Sequence, residues 1–139
     1  MKTISPHTLR AVALSLLVVL CILRTGDVAL ADGATAGLRG AVLDIPAVVK
    51  SGTQVRAVFD LDGYEIAKGS YASINVDVLK SPTGRGPTVI TGYPATVLTF
   101  HVPGTYELRF ILNEISKPSC GGVNARLLLE TTATVDATP

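Results

Sequence analysis

The chain has 139 residues, 47% apolar and 17% charged, with a formal net charge of +1 and no tryptophan. Its charges form no block of one sign, which gives nucleic acid or an anionic surface no footing. No Gly-rich phosphate loop of the P-loop or dinucleotide type occurs, which removes those nucleotide-binding classes.

Lys2, His7 and Arg10 precede an apolar run from Ala11 to Leu23, and Ala29-Leu30-Ala31 offers a small-x-small cleavage site before Asp32. This is the layout of a secretory signal peptide over 1–31, and the run is short for a membrane span. Cys21 follows Leu20 rather than a small residue, so it lacks a lipobox and is expected to leave with the leader. Residues 32–139 then carry nine basic and ten acidic side chains, one histidine (His101), one cysteine (Cys120) and no methionine. That inventory is too small for a Cys/His zinc site, a blue-copper centre or an attached haem within one chain, so no metal or cofactor is expected. The expected location is exported, periplasmic or at the cell surface. A lone cysteine there reads as a free thiol, an intermolecular bridge through Cys120, or a small part-buried residue in a turn.

Asp32 to Gly37 is small and flexible in composition, a short linker before a domain over 38–135. The first strand is expected from Leu38 to Val49. Pro46 inside it cannot donate to a ladder, so it is an edge strand or is broken in two. Gln54–Leu61 alternates with Val55, Ala57, Phe59 and Leu61 on one face, and Tyr71–Leu79 with Ala72, Ile74, Val76 and Val78 inward. Ser81–Pro87 is loop by composition, Thr88–Thr91 a short strand, and Gly92-Tyr93-Pro94 a turn. Ala95–Val102 and Tyr106–Asn113 are strands flanking a Pro103-Gly104-Thr105 corner. In the second, Tyr106, Leu108, Phe110 and Leu112 share a face. The last strand, Val123–Val135, is read with Val123, Ala125, Leu127, Leu129 and Val135 inward, ahead of a frayed tail over 136–139. Seven short strands with turn signals between them and no helix describe an all-β, antiparallel β-sandwich, with a small barrel as the alternative.

The run Pro103-Gly104-Thr105-Tyr106-x-Leu108-x-Phe110 resembles the tyrosine corner of immunoglobulin-like sandwiches. Residues 38–135 thus resemble a bacterial immunoglobulin-like domain of the broad group that includes fibronectin type III and PKD modules. The chain departs from antibody-type domains in having Leu108 where they carry a cysteine and in lacking the core tryptophan. It also lacks the Trp-x-Phe-Gly-Asp-Gly-like stretch of a PKD module.

Catalysis has little to stand on. His101 would have to serve any triad, yet alternation points it outward and no Gly-x-Ser-x-Gly elbow accompanies it. A Cys120–His101 dyad is set apart by topology, since the two fall at opposite ends of a sandwich. Asp60, Asp62, Glu65 and Glu114 are a candidate irregular calcium cluster, but no EF-hand pattern fits, and a solvated turn is the simpler reading. In a seven-strand sandwich, the loops at 62–70, 92–94 and 114–122 gather at one end. Tyr64, Glu65, Lys68, Tyr93 and Lys117 are therefore the candidate binding residues, because tyrosines on a rigid scaffold give large contact area at low entropic cost. The expectation is an exported, non-catalytic module that recognises a protein or glycan partner through loops or a sheet edge. The alternatives are a subunit of an extracellular fibre, homo-oligomeric through Cys120 or edge strands, and a protease inhibitor using Ser81–Pro87.

Overall fold

The structure is a computed structural model that describes residues 37–118 and 121–139. The expected leader, residues 32–36 of the linker and Cys120 lie outside the described residues. Eight strands are present: β1 (Val42–Asp44), β2 (Val48–Lys50), β3 (Gln54–Asp60), β4 (Tyr71–Lys80), β5 (Thr88–Ile90), β6 (Ala95–Thr99), β7 (Gly104–Ser116) and β8 (Asn124–Thr138). They form two four-stranded sheets, β1-β3-β6-β5 and β2-β8-β7-β4. Among the described residues no helix is long and apolar enough to cross a membrane.

The count is eight rather than seven because Pro46 splits the first strand. Its first half pairs antiparallel with β3 and its second half pairs parallel with β8 in the other sheet. A proline cannot continue a ladder, so the chain uses that point to change sheets. The β2–β8 pair is also the departure from an otherwise antiparallel arrangement. It keeps the C-terminal end ordered: Asp136 and Ala137 stand opposite Val48 and Val49, and the residues read as a frayed tail are paired up to Thr138.

The alternating residues of β3, β6 and β7 meet in one apolar core, an all-β arrangement compatible with a β-sandwich. Ala57, Leu98, Phe100, Tyr106, Leu108, Phe110 and Leu112 are all fully buried. Phe59 of one sheet meets Phe110 of the other edge to face, with ring centroids 6.3 Å apart, a geometry that suits the quadrupoles of the two rings. Phe100 packs on Tyr106 in the same way at 4.9 Å. The Tyr106 hydroxyl donates to the Val102 carbonyl at 2.9 Å, so the corner before β7 is tied to the strand's first buried ring.

Strand β8 departs from simple alternation. Leu112 faces Leu129 while Asn113 faces Leu127, so Leu128 is an extra residue, a β-bulge. Leu128 and Leu129 are both buried. Upstream of the bulge the phase reverses. Ala125 and Leu127 fall on the outer face opposite Ile115 and Asn113, and Arg126 falls on the inner face opposite Glu114. The expected inward row Val123–Ala125–Leu127 is thereby corrected, and Val123 is 59% exposed. The bulge is held by the N-terminal segment. Leu38 N–H donates to the Leu128 carbonyl at 2.7 Å. A Cβ on Gly37 would sit 2.7 Å from that same oxygen, so only glycine lets the chain pass there.

Candidate functional site

Strand β7 continues its inward row one step past Leu112, to Glu114. This carboxylate is only 7% exposed, and burying a charge without partners is costly. Both oxygens are satisfied by the β3–β4 connection: Oε2 accepts from the Tyr64 hydroxyl at 2.5 Å and Oε1 from the Ala67 N–H at 2.9 Å. These two bonds, the tyrosine's first, hold the Glu114 carboxyl below its ordinary value against the opposing effect of burial. The same bond pushes the Tyr64 phenol up, because losing its proton would set two anions side by side.

Arg126, turned inward by the bulge, closes the group. Its Nη1 donates to the Tyr64 hydroxyl at 3.2 Å, and its guanidinium carbon lies 5.2 Å from the centre of the tyrosine ring, a cation–π stack. Beside them opens a cleft of about 350 Å³ whose wall also includes Ser70, Ser116 and Asn124. The cleft thus has a half-buried aromatic wall, a cation, hydroxyls and an amide. Glu114 is a clasp rather than a proton donor: it is ionised at neutral pH and both its oxygens are taken.

The expected site residues divide. Tyr64 joins the cleft, packed down rather than projecting. Glu65 and Lys68 stand exposed on the β3–β4 connection, Tyr93 is 40% exposed on the β5–β6 turn, and Lys117 is exposed just past β7. None of these four lines the cleft. The connections that carry them leave the same end of the sheets, and the Phe59 N–H donates to the Pro94 carbonyl at 2.8 Å, binding the β5–β6 turn to the end of β3. The candidate calcium cluster is not assembled. Asp60 Oδ1 accepts from the Asp62 N–H at 3.0 Å, and among the described residues no three His, Cys, Asp or Glu side chains gather as a metal group would. His101 is exposed, with Nε2 2.8 Å from the Thr88 hydroxyl. The Ser81–Pro87 loop folds back onto β4, since a Cβ on Gly86 would meet Val78 Cγ2 at 2.6 Å.

Arg126 is the site residue that sequence reasoning missed, because strict alternation assigns it outward. The signal for Glu114 was present: it extends the row Tyr106–Leu108–Phe110–Leu112 by one step, and a carboxylate in an inward row calls for a partner. Compared with protein-family models, curated proteins and solved structures, the chain matches none.

Proposed function

We propose that this chain is an exported, non-catalytic binding module of immunoglobulin-like type that recognises a protein or glycan partner through the end of the fold carrying the Tyr64 cleft. The immunoglobulin-like reading is supported by the sheet orders β1-β3-β6-β5 and β2-β8-β7-β4 and by the Tyr106 hydroxyl on the Val102 carbonyl. One observation carries the binding reading. The Glu114 clasp fixes the β3–β4 connection while Arg126, stacked on Tyr64, lines an open cleft. A pre-fixed loop loses little entropy on binding. A guanidinium beside an aromatic ring, with hydroxyl and amide neighbours, suits the hydroxyls of a glycan or the carbonyls and carboxylates of a protein segment. Glu65, Lys68, Tyr93 and Lys117 form the exposed surroundings of that surface.

The test is binding of the full chain to an array of neutral and acidic oligosaccharides and to a displayed peptide library. The expected result is a hit that weakens at least about tenfold in Arg126→Ala, with the melting temperature little changed. Hits indifferent to Arg126→Ala, Lys68→Ala and Tyr93→Ala together would remove this end of the molecule as the site. The fibre-subunit alternative needs two long complementary edges, whereas three of the four edge strands described here have only three residues each.

A further inference from the structure

We infer that the free edge of β4 is a self-association surface, on which a second copy of this chain adds its own β4 antiparallel to form one continuous eight-stranded sheet across a twofold axis. This surface is separate from the Tyr64 cleft, and the two readings stand or fall independently.

Strand β4 has ten residues and, among the described residues, hydrogen-bonds to β7 alone. The other edge strands, β1, β2 and β5, have three residues each. Proteins blunt long edges with bulges, lysines, prolines or covering loops. Here those devices are confined to the end of the strand. A bulge falls between Val78 and Lys80, Pro82 follows, and the loop at Gly86 lies against Val78. Among the described residues, none of them falls on the run Tyr71–Asp77.

The same run has apolar surface left to cover. Ala72, Ile74 and Val76 face the core, yet each is only half-buried, whereas their β7 partners Glu114, Leu112 and Phe110 are buried. The difference is the missing strand on the open side.

The run is also complementary to itself. Centred on Ile74, antiparallel pairing sets Tyr71 against the partner's Asp77, Ala72 against the partner's Val76, Ser73 against the partner's Asn75, and Ile74 against the partner's Ile74. No like charges meet. The tyrosine hydroxyl can reach a carboxylate that Arg109 already neutralises through a bond of 2.6 Å. Aromatic, β-branched and polar cross-strand pairs of this kind are those that stabilise sheets. Because the contact uses the same strand from both copies, it closes at two chains and leaves no long edge for a third. Seven paired residues a side is well under a standard interface, so the association is weak, in the micromolar range or above.

The test is sedimentation of the full chain over a wide concentration range in reductant, comparing wild type with S73K/N75K and S73E/N75E. The substituted side chains lie on the solvent face, so folding is checked by the melting temperature. Wild type is expected to show a monomer–dimer equilibrium. Each double variant sets like charges opposite one another in two pairs and should raise the dissociation constant by about tenfold. An equimolar mixture of the two variants should restore association as a mixed dimer. A wild type that stays monomeric at the highest concentration overturns the inference. So does a dimer lost in reductant, a ladder of larger species, or a dimer indifferent to both variants.

Discussion

Replacing Glu114 by glutamine tests whether the clasp works by charge. The amide keeps one oxygen as an acceptor but offers an N–H₂ where the second oxygen stood, and it removes the charge from both bonds. Bonds to a charged group are worth about 1.5–3 kcal/mol against about 0.5–1.5 kcal/mol for neutral ones. Two such bonds converge on Glu114, so the substitution should cost about 2 kcal/mol at neutral pH. With a urea dependence of about 1.3 kcal/mol per molar, the unfolding midpoint falls by about 1.5 M. The folded carboxyl titrates below its ordinary value of 4.5. Its contribution is therefore complete above the unfolded-state value and is lost as pH falls through the lower folded value. Urea titrations of wild type and Glu114→Gln should show a full gap at pH 7 and 5.5 that closes as the pH falls through the lowered folded value, below which both chains carry a neutral group. A gap that is the same at every pH would mean that shape rather than charge holds the loop. The absence of a gap at pH 7 would refute the clasp.

Three further outcomes are expected. Tyr106→Phe leaves the Val102 carbonyl without its partner and should lower the melting temperature by about 5–10 °C, read by circular dichroism. Gly104→Ala places a Cβ 2.5 Å from Pro82 Cγ at a φ of +134°, and should cost about 1–3 kcal/mol in urea unfolding. Deleting Leu128 removes the bulge but leaves Leu129, Leu127 and Arg126 opposite Leu112, Asn113 and Glu114 in a regular ladder, so Arg126 stays on the inner face and the ring-proton shifts of Tyr64 should remain those of a stacked tyrosine. Shifts that move to those of an unstacked tyrosine would disprove the register given to the bulge.

Much of the framework could be read from residue order because period two is a local signal. The expected spans at 54–61, 71–79 and 88–91 agree with β3, β4 and β5 to within a residue, and Tyr106, Leu108, Phe110 and Leu112 are buried as a row. Pro46 announced a break, since its missing N–H is a local fact. That the two halves would join different sheets, one of them in parallel, depends on partners far along the chain. The phase of β8 was hidden for the same reason. Nothing in Asn124–Leu129 marks Leu128 as the extra residue; its place is set by Leu38 and Gly37 reaching it from ninety positions away. Half of the cleft followed from this concealed phase, because Arg126 meets Tyr64 only when the alternation has been reversed.

The parallel pairing of β2 with β8 also bears on tension. Chain enters the fold at Gly37, ahead of β1, and leaves it at the end of β8, so once Leu38 and β1 have let go the N-terminal path runs straight into β2. A stretch applied to it drags the two strands in opposite directions along their common axis. The Asp136 N–H on the Ala47 carbonyl and the Ser51 N–H on the Thr138 carbonyl, both 2.8 Å, and the Thr138 hydroxyl on the Val49 carbonyl at 3.1 Å are then sheared together rather than peeled one at a time. The proline that interrupts the first strand thus sets a small patch of backbone across the line of pull. Stretching a single molecule should give one abrupt rupture before the core opens; slow lengthening at low force would contradict it.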